Sequence, residues 1–406
     1  MKGSNVVELL DDNPMYGFDA YQRGRYASLS PYFPLDGILK LDIQDIFGKL
    51  DSPIQIQWTV SRYCNFTCPH CFNNSGPHCG ADEPPRDVII ENICDAKPFN
   101  VCLCGGEPFV WPDLFDIIGK LRNGGVPVVS LVTNASLVTP ERLAKAVDAG
   151  LNNIQISWDG NTPEDHAVSR PTTKSWNRAR DAIIACVECG AFNPVAVSFI
   201  PNRFNVGAFE QFCEMVAGLG VGSIRCQPLM ACGRGAESYD RLRMTAEQTL
   251  DLVMKIAAFN RRGNCSCSRD NVLVEWGDPL EHLWFFSETE APIQMLAIQA
   301  CGWYELTPYL PVYVGDATRH SIREVWRKPL KQMWRIPVMQ QMISVLQVIN
   351  GMREIKPRIY YDRPVLIDCF DDESWELAQQ CSNVDELIAY AERRGWYDNM
   401  EGTYGV

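Results

Sequence analysis

From Ile54 onward the chain alternates short β-branched or apolar runs with longer stretches in which apolar positions recur every three or four residues. The runs Ile54–Val60, Asn100–Cys104, Pro127–Thr133, Asn153–Ser157, Val195–Ile200 and Ser223–Gln227 predict strands. Between them Leu114–Arg122, Pro140–Ala149, Ser175–Cys189 and Ala208–Leu219 predict helices. Six repeats of this order predict parallel βα units, and so an α/β domain. In such architectures the residues that follow the strand ends gather on one side of the sheet. Thr245-Ala246-Glu247-Gln248 is a capping box that opens a further helix to about Asn260. Beyond it the alternation gives way to Trp- and Pro-rich loops. The pattern therefore divides the chain into a leader with turn-prone pieces (1–54), an α/β core (55–240) and an extension (241–406).

Composition narrows the classes. The chain has 406 residues, 46% apolar and 21% charged, which is ordinary for a folded globular protein. A net charge of −13 without any Lys/Arg-rich run argues against binding a nucleic-acid backbone. Asp, Glu and Arg within residues 1–30 stand where the apolar part of an export signal would be. No apolar stretch reaches the ~18 residues of a membrane span. Seventeen cysteines, an odd number, do not suit the disulfide framework of a small secreted domain in a chain this long. They suit a reducing cytoplasm, with some cysteines as metal ligands and the rest as small buried residues.

The chemistry concentrates in Cys64-Asn65-Phe66-Thr67-Cys68-Pro69-His70-Cys71. The spacing C-x3-C-x2-C puts three thiolates on one loop. Structural zinc takes four ligands and so does an ordinary ferredoxin cluster, so three ligands leave one iron open to a substrate or cofactor. The bland alternative is a zinc knuckle completed by His78 or Cys79. Downstream, Val101-Cys102-Leu103-Cys104 runs into Gly105-Gly106-Glu107-Pro108-Phe109. Paired glycines let a backbone approach a ligand closely, and Glu107 offers a negative charge to an ammonium group.

Taken together, these segments resemble the radical S-adenosylmethionine (radical SAM) enzymes. The resemblance implies a partial (β/α)6 barrel with a smaller C-terminal α+β extension. It implies a [4Fe–4S] cluster on Cys64, Cys68 and Cys71, whose open iron is chelated by S-adenosylmethionine. Gly105, Gly106, Glu107 and Pro108 would then receive the methionine amino group. Ser157-Trp158-Asp159-Gly160 resembles the Ser-x-Asp-Gly segment in which the serine reaches the cofactor carboxylate or ribose. Arg170 resembles the arginine that pairs with that carboxylate, the bland reading being a surface arginine. Thr133-Asn134 resembles a Thr-Asn-Gly pocket element, here with Ala135 in place of glycine. His70 stands where the family has an aromatic near adenine; simple loop packing is the alternative.

The segment from Cys301-Gly302 through Gly315-Asp316 to Trp326 resembles the extensions called SPASM or twitch, which bind auxiliary [4Fe–4S] clusters. The expected next cysteine falls near Val314, and residues 327–368 contain none. Two auxiliary clusters are therefore not expected. One, built from some of Cys265, Cys267, Cys301, Cys369 and Cys381, or a metal-free extension, are the alternatives. Cys79, Cys94, Cys102, Cys104, Cys186, Cys189, Cys213, Cys226 and Cys232 are read as mostly core.

The resemblance implies reductive cleavage of S-adenosylmethionine, an electron donor such as a flavodoxin or ferredoxin, and hydrogen abstraction from an unactivated C–H. The substrate is either a ribosomally made peptide (crosslink, thioether or epimerisation) or a sugar, aminocyclitol or nucleoside. A non-catalytic iron–sulfur protein is the reading from a different class.

Overall fold

The structure is a computed structural model that describes residues 51–79, 83–192, 194–263, 272–277, 295–328, 330–348 and 363–398. The parallel strands are β1 (Gln55–Ser61), β2 (Asn100–Gly105), β3 (Val128–Thr133), β4 (Asn153–Ser157), β5 (Ala196–Phe199), β6 (Ser223–Cys226) and β7 (Leu273–Trp276). They are separated by α1 (Arg86–Ala96), α2 (Leu114–Asn123), α3 (Pro140–Asp148), α4 (Pro163–Ser169), α5 (Lys174–Glu188), α6 (Phe209–Ala217), α7 (Arg234–Leu242) and α8 (Ala246–Gly263). Helix starts follow the local code. Thr139 and Thr162 cap α3 and α4 with Pro at the first turn. Thr245 and Gln248 exchange the two bonds of a capping box before α8.

Strands β1 to β6 lie within one or two residues of the runs predicted from the pattern. The sheet does not stop at residue 240, however: α8 and β7 continue the alternation, and β7 pairs in parallel with β6 from Ser223↔Leu273 to Cys226↔Trp276. Four residues carry too little alternation to be read as a strand.

At the other edge, β8 (Met295–Ile298) pairs in parallel with β1, and β9 (Trp303–Glu305) and β10 (Val312–Asp316) follow antiparallel. A two-residue β11 (Val365–Leu366) completes an 11-stranded sheet in the order β11-β10-β9-β8-β1-β2-β3-β4-β5-β6-β7. The extension also holds α9 (Ile322–Trp326), α10 (Leu330–Met333), α11 (Pro337–Val348), α12 (Asp372–Gln380) and α13 (Val384–Arg393).

Alternation along the strands makes the two faces of the sheet unlike. Ile56, Trp58, Leu103, Leu131, Ile154, Ile156, Val197 and Ile224 are buried with Ile89, Ile93, Leu114, Ile117, Ile183 and Phe212 of the helices. The opposite face carries Gln57, Thr59, Cys102, Cys104, Gln155, Ser157, Ser198 and Arg225 on the same strands. A fully buried parallel strand would be apolar on both sides. This half-polar pattern is that of a sheet whose inner face lines a chamber. Cys102 and Cys104 lie on that polar face, the Cys104 sulfur 3.8 Å from Thr59 Oγ1, so they are not the core residues the sequence suggested. Cys186, Cys213, Cys226 and Cys232 are buried, whereas Cys189 is exposed.

Candidate functional site

The loop after β1 is tied down before it reaches its cysteines. Cys64 N donates to Gly76 O at 3.0 Å and Gly76 N to Arg62 O at 3.1 Å. Arg62 Nε donates to Asn73 O at 2.9 Å. From the start of α7, Arg234 donates to Cys68 O at 3.0 Å, to Asn74 Oδ1 at 2.8 Å and to Ser75 O. Cys64, Phe66 and Cys68 are buried together with Cys71 packed beside them.

Each of the three sulfurs meets N–H donors. Cys64 Sγ accepts from Phe66 N at 3.4 Å and lies 4.0 Å from Asn134 Nδ2. Cys68 Sγ accepts from Arg170 Nη1 at 3.9 Å, and Cys71 Sγ accepts from Ser75 N at 3.3 Å. As free thiols, Cys64 is pushed up to about 12 and Cys68 to about 11, in both cases mainly by burial. A coordinated metal reverses that balance, because it deprotonates the thiol outright. Donors aimed at sulfur suit thiolates, so the surroundings of Cys64 and Cys68 fit an iron–sulfur cluster, while the Cys71 thiol also donates to Asn73 Oδ1 at 3.0 Å. Among the described residues no three His, Cys, Asp or Glu side chains are arranged to hold a single ion. A four-iron cube is wider than one ion, so its thiolates need not converge on a point.

Gly105 and Gly106 play a role the sequence did not suggest. They bring the β2–α2 loop against the backbone at the end of β1, with Gly106 N donating to Ser61 O at 2.7 Å and Glu107 N to Tyr63 O at 3.1 Å. A Cβ on either glycine would strike Ser61 or Tyr63 backbone atoms, and Gly105 has φ +122°. The close approach is thus to the cysteine loop's own root. Pro108 follows at the first position of a 3-10 turn capped by Glu107.

Glu107 is 1% exposed and accepts three protein hydrogen bonds: from Phe109 N at 3.0 Å, Thr133 Oγ1 at 2.6 Å and Asn134 N at 2.7 Å. Burial raises its carboxyl pKa and these three donors oppose the rise. The carboxylate therefore pins the loop after β2 to the loop after β3. Asn134 passes the connection on, donating to Asn65 Oδ1 at 3.0 Å beside Cys64. Ala135, fully buried, takes φ 60°, a left-handed conformation that costs a non-glycine residue ~1 kcal/mol. Its N–H donates to Thr133 Oγ1 at 2.9 Å, which holds the turn.

Between the end of β4 and the end of α4 a buried charge pair stands against the cysteine loop. Arg170 Nε donates to Asp159 Oδ2 at 2.7 Å. Asp159 also accepts from Ile200 N at 2.8 Å and donates its own N–H to His166 Nδ1 at 3.1 Å. Arg170 is accordingly no surface residue. His70 is buried nearby, held down to about 3 first by burial and then by the Arg170 charge, and His166 is held down to about 4 for the same reasons. Ser157 is buried on the polar face opposite Ser198.

Asp159 and Thr133 lie in the quoted Ser-x-Asp-Gly and Thr-Asn segments without having been given a role of their own; Arg234 was not singled out, and nothing local marks it. Glu305 on β9 was missed too. It sits in register with Ala297, which is in register with Gln57, so it faces the polar side of the sheet. It is 4% exposed, and Gln299 Nε2 donates to it at 2.5 Å.

Cys265 and Cys267 lie outside the described residues. Cys301 is half-buried near Glu305 and Arg62, Cys369 beside Asp368 and Lys328, and Cys381 donates to Asn383 O at 3.0 Å at the end of α12. Like Cys64, Cys68 and Cys71, these three cysteines are not arranged around a single ion among the described residues.

The model of the Radical SAM superfamily matches residues 58–216. The chain is 30% identical over 260 residues to the mycofactocin maturase MftC of Mycolicibacterium smegmatis, covering 62% of this chain and 60% of that one. It is 30% identical over 298 residues to the AdoMet-dependent heme synthase of Methanosarcina barkeri, covering 69% of this chain and 84% of that one. Among solved structures it resembles Streptococcus suis SuiB bound to precursor peptide SuiA, with a TM-score of 0.55, 13% identity, and coverage of 71% and 68%. The chain spans about three-fifths of the length of the M. smegmatis maturase. Among the described residues no helix is long and apolar enough to cross a membrane.

Proposed function

This chain belongs to the radical SAM superfamily, whose cofactors are a [4Fe–4S] cluster and S-adenosylmethionine, and on that premise we propose that it modifies a ribosomally made peptide. The observation that carries the site assignment is the loop of Cys64, Cys68 and Cys71, each sulfur facing N–H donors, pinned to the Gly-Gly-Glu-Pro loop. The chemistry the bound pair supplies is reductive cleavage of S-adenosylmethionine and abstraction of a hydrogen atom from an unactivated C–H. The protein's part is to bind, orient and shield.

Glu107, Thr133 and Asn134 fix the two loops that form one wall of the cofactor pocket. Gly105, Gly106, Pro108, Asn134 and Ser157 are the residues we assign to the cofactor, with His70 and Arg170 buried behind the cysteine loop. The polar face of the sheet, with Gln57, Thr59, Cys104, Gln155 and Ser198, is the surface we assign to the substrate. Its hydrogen-bonding groups suit a peptide backbone. The peptide reading is supported by the maturase relative and by SuiB having been solved with a precursor peptide. A small-molecule substrate is the second reading, favoured by the heme synthase, most of whose length is matched. Electrons would come from a flavodoxin- or ferredoxin-type donor.

The test is anaerobic reconstitution of the wild type and of a variant with Cys64, Cys68 and Cys71 all changed to Ala. The variant is expected to lose about four irons per chain and all 5′-deoxyadenosine formation under reduction. Deoxyadenosine formation by the triple variant would overturn the radical reading. Incubation with precursor peptides encoded beside the chain, followed by mass spectrometry, tests the substrate class.

A further inference from the structure

Arg170 is held by two opposite demands. Its Nε donates to Asp159 Oδ2 at 2.7 Å while its Nη1 lies 3.9 Å from Cys68 Sγ. The Asp159 side chain is fully buried and that of Arg170 is 10% exposed. Asp159 is itself immobilised from two further directions: Ile200 N donates to its other oxygen at 2.8 Å, and Asn205 Nδ2 donates to its carbonyl at 3.0 Å. The guanidinium fork is planar and rigid. A carboxylate fixed at Nε therefore fixes where Nη1 points, and it points at the sulfur. That is an unexpected use for an arginine whose sequence position suggested a clamp on a cofactor carboxylate.

We propose that Arg170 sets the reduction potential of the cluster through the Cys68 sulfur, and that Asp159 is the residue that positions it. The inference rests on Cys68 being a cluster ligand. Hydrogen bonds to ligand sulfurs and the net charge around a cluster are among the levers that tune its potential. An electron taken from an external low-potential one-electron donor adds negative charge beside the sulfur. A cation with an N–H aimed at that sulfur favours the reduced form, and a buried one is weakly screened. The carboxylate of Asp159 is the more distant member of the pair and pulls the other way. The two residues therefore have opposite signs of effect on the same couple, although they are bonded to each other.

The experiment is a redox titration, followed by electron paramagnetic resonance, of the anaerobically reconstituted full chain without S-adenosylmethionine. Wild type is compared with Arg170→Gln, Arg170→Lys and Asp159→Asn. In Arg170→Gln the ratio of reduced to oxidised cluster at a fixed potential is expected to fall about tenfold, a shift of ~59 mV to more negative values for a one-electron couple. Arg170→Lys keeps the charge without the fork and is expected to lie between that variant and wild type. Asp159→Asn leaves an oxygen for Nε but removes the opposing charge, so its potential is expected to be less negative than the wild-type value. An unmoved potential in Arg170→Gln overturns the proposal. So does an unmoved potential or a negative shift in Asp159→Asn, because the opposing charge would then have no effect on the couple. If Arg170→Gln takes up no iron, the sign in Asp159→Asn decides alone. A wild type that holds no cluster would sink the cluster assignment itself, whereas a cluster with unmoved potential sinks only the role of Arg170.

Discussion

Gly106 packs against the Tyr63 carbonyl so closely that a Cβ would come within 3.0 Å of it, a separation real Cβ atoms do not reach. The contact joins the root of the cysteine loop to the root of the Gly-Gly-Glu-Pro loop, and the atoms that the Cβ would meet are backbone, so they cannot swing away. Gly106→Ala is expected to yield protein that takes up little or no iron. Gly119→Ala is the control: it lies in α2 with nothing within 4 Å of the added methyl, and should stabilise by ~0.5–1 kcal/mol. Iron analysis and denaturant unfolding of the two variants check this. Full iron loading of Gly106→Ala would show that the close approach is dispensable.

Glu107→Gln replaces a carboxylate that accepts three donors with an amide that accepts through one oxygen. If the amide oxygen serves Phe109 N and Thr133 Oγ1, the Asn134 N–H is left facing an NH2 group. A buried donor without a partner costs ~1–3 kcal/mol. The variant should unfold at lower denaturant and bind S-adenosylmethionine more weakly, while its cluster spectrum stays close to wild type. Loss of the cluster absorbance would instead tie Glu107 to iron.

Burial holds the Glu305 carboxyl well above the usual carboxylate range, and the Gln299 hydrogen bond only partly opposes it. Above the unfolded-state pKa the unfolded chain gives up this proton first, so stability falls as pH rises towards the folded-state value. Glu305→Gln keeps the size and removes the titration. It should lose less thermal stability than wild type as pH rises above the ordinary carboxylate range. Parallel melting-temperature profiles for the two proteins would refute this.

Cys369 lies beside Asp368 and Lys328, Cys301 near Glu305 and Arg62, and the Cys381 thiol donates to Asn383 O. Cys369→Ala and Cys381→Ala are each expected to leave iron content unchanged. Changing Cys265, Cys267 and Cys301 together asks the remaining question: a drop of about four irons establishes an auxiliary cluster. An unchanged count removes it and favours a redox-neutral reaction ended by a hydrogen donor.

The sequence by itself determined the βα order, the capping box at Thr245 and the three-cysteine loop. Each is written in neighbouring residues: alternation sets a strand, a Thr followed three residues later by Gln starts a helix, and C-x3-C-x2-C places three thiolates on one turn. Only the tertiary structure decided what those residues meet. Gly105 and Gly106 approach the end of β1 because strands β1 and β2 are hydrogen-bonded neighbours, a fact of register that no spacing encodes. Arg170 could be read as a cofactor clamp because its partners, Asp159 and Cys68, lie 11 and 102 residues away along the chain. Cys102 and Cys104 look like core residues until the fold shows which face of β2 turns to the helices. Glu305 carries no local signature; its place on the polar face follows from β9 pairing with β8, and β8 with β1. Local geometry is fixed by short-range sterics and hydrogen bonding, whereas the burial and charge of a site depend on which distant segments the packed sheet brings together.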